Sequence, residues 1–380
     1  MHINSPQLKW QKALERRKEE NSYRELQIVK GLSDFSSNDY LGLANNAELQ
    51  AHVTESYNSI QQSNKLGSTG SRLISGNNEH FEQTESFLAK IHNAESALLF
   101  NSGYMANLAV FSTLPQRGDT ILFDELSHAC IKDGLRLSLA DHYPFLHNNL
   151  ESLENKLKKA KGNVFVGVES VYSMDGDFAP LKELTSLCKK YGATLIVDEA
   201  HSTGVYGKNG AGLVCELGLE NNIPVRIHTF GKAMGCHGAA VVGDKVLKDY
   251  LVNFARPFIF TTAMSLHSSV SIFESYQYLS QNTDFQENIK NKIQKFNLLL
   301  GNNKNKIYSD SPIHALLFPG NNLVKQTAIS LREKGFDIRP ILSPTVKKGS
   351  ERLRICLHTF NTDEEIESLC SLLNNFRIKP

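Results

Sequence analysis

The chain has 380 residues, 41% hydrophobic and 21% charged, enough apolar material for a sizeable core and for two or three domains, or one large domain with a smaller companion. Lys and Arg number 41 against 40 Asp and Glu, a formal net charge of +1, so there is no global basic footprint for nucleic acid or an anionic membrane surface. The six cysteines are scattered and none forms a C-x-x-C pair, which argues against a zinc ribbon or a thioredoxin-type motif and fits reduced thiols in a cytosolic protein.

The first residues, MHINSPQLKWQKALERRKEE, lack the apolar core of a secretory signal. No apolar run approaches the ~20 residues that span a bilayer, and the expected location is the cytoplasm. Residues 7–26 place Leu8, Trp10, Ala13, Leu14 and Tyr23 loosely on one face and predict a helix. From residue 95 a rhythm begins: SALLF (96–100), TILFD (120–124), NVFVGV (163–168), TLIVD (194–198) and VRIHT (225–229) are short apolar runs separated by longer mixed segments. One such segment, LKELTSLCKKYG (181–192), has helical spacing at Leu181, Leu184, Leu187 and Cys188. Buried strands alternating with helices predict a largely parallel α/β sheet, and GAAVVGD (238–244) reads as one further strand. After about residue 285 the pattern changes to IHALLF, AISLREKGF, RLRICL and TDEEIESLCSLLNNF, the last opening on a capping box of Thr362 and Glu365. The predicted organisation is an N-terminal helix and arm (1–45), a large domain (46–285) and a smaller C-terminal α/β domain (286–380). There are no internal repeats.

Ligands of open α/β sheets bind beyond the carboxyl ends of the strands. Here five successive strand ends carry polar residues: Asn101-Ser102-Gly103-Tyr104; Ser127-His128; Glu169 and then Ser173 to Asp177; Asp198-Glu199-Ala200-His201; and Thr229 followed by Lys232. Each has an ordinary explanation alone. Lys232 would be a solvated surface lysine, Asp198 a helix cap, His128 a core histidine and His201 a turn residue. Together they point to one pocket. Lys232, set among Gly231, Ala233 and Gly235, has three readings: a phosphate-binding lysine, a covalent lysine or a surface lysine. A phosphate loop needs glycine five residues before its Gly-Lys pair and a hydroxyl after it. Arg226 and Ala233 stand there instead, and the helicase-like acidic motif VDEAH (197–201) precedes the pair, the wrong order. Asp198, Glu199 and His201 are conceivable metal ligands, but no second cluster completes a set, and no metal is expected.

Eight blocks in order carry a resemblance over nearly the whole chain: FSSNDYLGL (35–43), GSTGSR (67–72), FNSGYMAN (100–107), LSHAC (126–130), SVYSMDGD (170–177), VDEAHSTGVYG (197–207), HTFGKAMG (228–235) and RLRICL (352–357). With them the chain resembles the α-oxoamine synthases among the fold-type I pyridoxal-phosphate (PLP) enzymes. The resemblance implies an aspartate aminotransferase-like fold, a mostly parallel sheet flanked by helices with a smaller C-terminal domain. It implies PLP as cofactor, with Lys232 bound covalently to the cofactor aldehyde and later freed as the base for the substrate Cα proton. Asp198 is implied to pair with the pyridine nitrogen, His128 to stack on the ring and His201 to hydrogen-bond the ring hydroxyl oxygen. The backbone of Ser102, Gly103 and Tyr104 would hold the phosphate at a helix N-terminus. Thr229 would add a hydroxyl there, and Ser173 would sit near the cofactor. Thr261 or Thr262 would reach the phosphate from a second subunit, which implies a homodimer with shared active sites. Arg354 would fork onto the amino acid's carboxylate, helped by Asn38, and Arg24 matches a position near the acyl-donor entrance.

The implied reaction is decarboxylative condensation of an amino acid with an acyl thioester carried on CoA or an acyl carrier protein. TFGKAMG, GAAVV and FARPFIFTT (254–262) are most similar to the branch that joins L-alanine to a pimeloyl thioester in biotin synthesis. The runner-up branch uses glycine and acetyl-CoA; branches using succinyl-CoA with glycine and palmitoyl-CoA with L-serine stand behind it. A catalytically silent relative that uses the fold for binding is the reading from another class, and the intact Lys232, Asp198, His128 and His201 speak against it. His237, in GCHGA, departs from the smaller residue usual there.

Overall fold

The computed structural model describes residues 6–60 and 66–376. The first five residues of the predicted arm, including part of the segment examined for a signal, and the last four of the predicted C-terminal domain lie outside the described residues.

The strands, in chain order, are β1 (Ser33–Asp34), β2 (Ser96–Phe100), β3 (Thr120–Asp124), β4 (Asp141–Phe145), β5 (Val164–Glu169), β6 (Thr194–Asp198), β7 (Val225–Thr229), β8 (Ala239–Gly243), β9 (Lys306–Ile307), β10 (Ile313–Leu317), β11 (Phe336–Asp337), β12 (Arg339–Ile341) and β13 (Arg352–Cys356). Two compact units divide the chain, one of Asn38–Ser173 with Asp177–Ile289, the other of Met1–Ser37, Met174–Gly176 and Lys290–Pro380.

The first unit is built on a seven-stranded sheet in the order β2-β8-β7-β6-β5-β3-β4. Strands β7, β6, β5, β3 and β4 are parallel, and β8 runs antiparallel to both its neighbours. All strands but β8 therefore end at the same edge, and their following loops gather there. The apolar runs are nearly continuous because both faces are covered. Alternate residues point to opposite faces. Ile121, Phe123, Ile196 and Ile227 pack with Val110 and Phe111 of helix Gly103–Thr113 and Ile131 of helix Ala129–Leu137. Leu122, Val166, Val168, Leu195 and Val197 pack with Leu153, Leu181, Leu184 and Cys188 on the other side.

The two sheet edges are protected differently. At β2 the Leu99 N–H donates to Glu85 Oε1 at 3.0 Å, on helix Glu79–Ile91, and that buried carboxylate pairs with Arg72 at 2.8 Å and Lys248 at 2.7 Å. At the other edge β4, DHYPF, exposes four of its five residues and includes Pro144. The sequence reading has no strand there, because an exposed edge strand shows no apolar run.

In the second unit β12-β13-β10-β9 form an antiparallel sheet and β1 pairs in parallel with β11. Leu316, Leu353 and Ile355 are buried there, as are Val324 and Leu331 of helix Asn321–Glu333 and Ile366, Leu369 and Leu373 of helix Asp363–Asn375. The capping box expected at Thr362 and Glu365 is present. Asp175 pairs with Arg352, and Ser309 Oγ donates to Gly176 O at 2.9 Å. A Cβ at Gly176 would collide with Ile313 O. The helix predicted over 7–26 is shorter, Pro6–Glu19, and has no buried residue. Among the described residues no helix is long and apolar enough to cross a membrane.

Candidate active site

Asp198 ends β6 with its carboxylate buried. Oδ2 accepts from Asn107 Nδ2 at 2.7 Å and Oδ1 from the Ala200 N–H at 2.9 Å. Asn107 lies one helical turn after Gly103 and also donates to Gly103 O at 3.0 Å. Beside Asp198, in register on β5, is the fully buried Glu169, whose Oε1 accepts from the His128 N–H at 2.6 Å. Burial first, and then the charge of Asp198, push the Glu169 carboxyl above its usual range.

His128 caps helix Ala129–Leu137. Its Nδ1 accepts from the Cys130 N–H at 3.2 Å and lies 2.9 Å from Cys130 Sγ. Burial lowers its pKa, so the ring is neutral at neutral pH. His201 is buried, with Nε2 2.7 Å from Lys232 Nζ and Nδ1 2.7 Å from the Tyr40 hydroxyl, which donates to Asn38 Oδ1 at 3.1 Å. One proton arrangement satisfies this chain: Tyr40 donates to Asn38, His201 Nδ1–H donates to Tyr40, and Nε2 accepts from Lys232.

Thr229 ends β7, and its Oγ1 donates to Ala200 O at 3.4 Å. A Cβ added at Gly103 would collide with Thr229 Cγ2, so glycine is what lets the helix start come this close. Ser102 caps that helix, its Oγ accepting from the Met105 N–H at 3.3 Å, and the first-turn N–H groups form the positive end of an 11-residue helix. Tyr104 is exposed, with its hydroxyl on Asp133. Asn101 Nδ2 donates to Thr262 O at 2.8 Å and reaches Thr261 Oγ1 at 3.4 Å, so both threonines lie beside the end of β2 in the same chain. Ser173 and Lys232 are half-buried and His237 is exposed. In the second unit Arg354 is buried on β13 with Nη1 2.9 Å from Cys356 Sγ, and the exposed Arg24 donates to Thr345 Oγ1 at 3.0 Å.

Glu199, the acid of VDEAH, is structural. It accepts from the N–H groups of Leu213 at 2.8 Å and Val214 at 3.1 Å and from the Ser202 hydroxyl. Among the described residues no group of three or more His, Cys, Asp or Glu could hold a metal ion.

Three residues escape the sequence reading in whole or part. Asn107 carries a signal, standing four residues after Gly103 and so one turn away. Tyr40 lies inside SNDYLGL, 161 residues from His201, and no local pattern links the two. Glu169 is visible as a strand end, but its pairing with Asp198 depends on strand register. The assembled set is a buried carboxylate, two imidazoles, an amine and a helix N-terminus brought close by an obligate glycine. That set fits a planar, cationic, phosphorylated aromatic aldehyde such as PLP.

Residues 30–373 match the model of the aminotransferase class I and II family, and the chain belongs to that family, with the fold of the fold-type I PLP transferases. Within it the chain is 40% identical to the 8-amino-7-oxononanoate synthase of Emericella nidulans, over 94% of this chain and 92% of that protein. Its fold matches the solved 8-amino-7-oxononanoate synthase of Francisella tularensis with a TM-score of 0.78 at 30% identity, covering 90% of this chain and 97% of that one. It also matches a serine palmitoyltransferase variant from S. paucimobilis with a bound PLP–myriocin aldimine, with a TM-score of 0.88 at 25% identity and 98% of each chain.

Proposed function

We propose that the protein is a PLP-dependent acyltransferase. It condenses L-alanine with a pimeloyl thioester, on CoA or acyl carrier protein, giving 8-amino-7-oxononanoate, CO2 and free thiol in biotin synthesis. The observation that carries the reading is the convergence of Lys232, His201 and Asp198 at one sheet edge in a chain 40% identical to an enzyme so named.

Bound there, PLP supplies a protonated ring that accepts the electrons left at the substrate Cα. Asp198 is proposed to hold the ring nitrogen's proton, because a carboxylate so buried is stabilised by a facing cation. Its bonds from Asn107 and Ala200 keep it aimed. Lys232 would hold the cofactor at its aldehyde and, as a free amine, would be the base for the Cα proton, with its N–H donating to His201 Nε2. His201 would face the ring oxygen, in place of its contact with Lys232, and neutral His128 would lie on the ring face. Ser102, Gly103, Tyr104 and Thr229 hold the phosphate, and Ser173 lies near the cofactor. Arg354 takes the amino acid's carboxylate with Asn38, and Arg24 stands near the acyl-donor entrance. The proposal includes a homodimer, in which Thr261 or Thr262 serves the other subunit's phosphate site, located in the cytoplasm.

The test is thiol release by the PLP-loaded protein from pimeloyl-, acetyl-, succinyl- and palmitoyl-CoA, each with L-alanine, glycine and L-serine. Release with L-alanine and pimeloyl-CoA alone is expected. Release confined to glycine and acetyl-CoA overturns the substrate assignment. Release confined to L-serine and palmitoyl-CoA would assign the protein instead to the reaction of the serine palmitoyltransferase whose fold it shares.

A further inference from the structure

His147 lies two residues beyond β4, its side chain about one-fifth exposed at 22%. Its Nδ1 is 2.9 Å from Asp124 Oδ1 and its Nε2 is 2.7 Å from Asp177 Oδ2. Each ring nitrogen has a carboxylate oxygen as its nearest partner, and only the imidazolium donates to both at once; the Asn148 Nδ2 also lies 3.3 Å from Nε2. Burial by itself would lower the imidazole pKa, but hydrogen bonds and charge from Asp124 and Asp177 outweigh it and raise the value to about 9. The other groups facing the ring are neutral. The Tyr172 ring meets it edge-on at 4.5 Å, and the Asn148 amide also binds Asp177 Oδ2 at 2.7 Å.

The Asp124 carboxylate holds backbone as well as imidazole, and the Asp177 carboxylate holds the Asn148 amide as well as imidazole. Asp124 ends β3 and its Oδ1 accepts from the Leu126 N–H at 2.9 Å, while Oδ2 accepts from the Asn148 N–H at 2.9 Å. This fixes the turn that leads directly to His128. Asp177 closes the segment that begins at Tyr172, whose N–H donates to Asp177 O at 2.9 Å; Ser173 lies between them. Strands β4, β3 and β5 are neighbours in the sheet, so one imidazole just past β4 ties the end of β3 to the loop that follows β5.

We propose that His147, held as a cation between Asp124 and Asp177, is a positioning residue that sets the loops carrying His128 and Ser173 against the cofactor. It touches no reacting atom. The inference rests on the PLP reading above. Sign follows from the chemistry: the clamp is intact below about pH 9 and opens as the imidazolium loses its proton above it.

The experiment uses the full chain loaded with PLP. Side-chain nitrogen NMR of the labelled histidines follows His147, assigned by its loss in His147→Gln. Visible circular dichroism reports how the bound cofactor is seated. The expected midpoint for His147 is about 9, with a change in the cofactor's dichroism over the same range. At neutral pH His147→Gln should show weakened dichroism, lack that alkaline change, and lose roughly tenfold to a hundredfold in kcat, as small misplacements do. A midpoint near ~6.5, the ordinary histidine value, overturns the proposal. So does a variant with the parent's dichroism and PLP release rate, since a purely structural role would lower only its melting temperature. If His147→Gln fails to fold, Asp177→Asn serves instead: it should lower the His147 midpoint and weaken the dichroism together, and unchanged dichroism overturns the idea. A parent protein that takes up no PLP defeats the cofactor reading itself, a result distinct from all of these.

Discussion

A single histidine at the sheet's rim and a stacked pair beneath the sheet are held in opposite ways. At the carboxyl edge His147 sits between two carboxylates and is a cation at neutral pH. Under the sheet His92 and His228 stack at 3.7 Å, His92 bonding Ala211 O and the Tyr276 hydroxyl at 3.0 Å each and His228 bonding Thr203 Oγ1 at 2.9 Å. Beside them the buried Arg226 donates to His92 O at 2.6 Å. Burial, aided by Arg226, holds His92 down to about 3, and burial with His92 and Arg226 holds His228 well below its usual value. Along β7 the two regions are one residue apart, His228 in the buried stack and Thr229 at the rim. A histidine's charge is thus decided by what faces it: two carboxylates hold His147 charged, and burial beside Arg226 keeps the stack neutral.

If the rim is chemical and the stack structural, changes in each should separate activity from stability. The largest effect is expected from Lys232→Ala, which should lose roughly 10²–10⁴-fold or more in kcat and leave no borohydride-trapped cofactor. Its unfolding free energy should stay within about 0.5 kcal/mol of the parent; a comparable loss of stability would erase the distinction. Next is Gly103→Ala, whose Cβ meets Thr229 Cγ2. PLP affinity should fall by about tenfold to a hundredfold and return largely in the double variant with Thr229→Ser, which deletes that methyl and keeps the hydroxyl. PLP titration reads both.

The stack should appear in the pH dependence of stability. A histidine with a folded pKa near 3 and an ordinary unfolded value near ~6.5 contributes stability above ~6.5 that is lost as pH falls toward the folded value. His92 alone should cost on the order of 2 kcal/mol between pH 7 and pH 5, and denaturant melts of His92→Leu should show a shallower acid slope. His147 has the opposite sign: its contribution is present below ~6.5 and is lost as pH rises to about 9. Coincident slopes for the two variants would collapse the comparison. The smallest effect is expected at Arg24, which is exposed and bonded only side chain to side chain with Thr345 among the contacts described. Arg24→Ala should leave stability within about 0.5 kcal/mol and confine any change to the KM for the acyl thioester.

Most of the sheet is legible because buried parallel strands are apolar throughout. SALLF, TILFD, TLIVD and VRIHT coincide with β2, β3, β6 and β7, and NVFVGV is displaced by one residue from β5. DHYPF is illegible for the converse reason, since an exposed edge strand with a proline has no apolar period. At the site, residues that follow strands are visible as polar interruptions, which is how Asp198, His201, Thr229 and Lys232 come to notice. Their partners are not visible. Asn107 and Tyr40 lie 91 and 161 residues from the groups they bond, and no local pattern encodes a contact at that separation. Gly103 reads as helix punctuation, and only the approach of Thr229 shows why a methyl is excluded.

The unlike treatment of the sheet's two margins also bears on how the chain behaves in company. At β2 an outward N–H that would template a foreign strand is already spent on Glu85. At β4 Pro144 removes one donor from a short, water-facing strand, so a newcomer finds an incomplete ladder and no apolar face to bury. An α/β chain with an apolar sheet interior is thereby guarded against growing its sheet from molecule to molecule, and crowding during synthesis favours closure of the fold over cross-chain polymerisation.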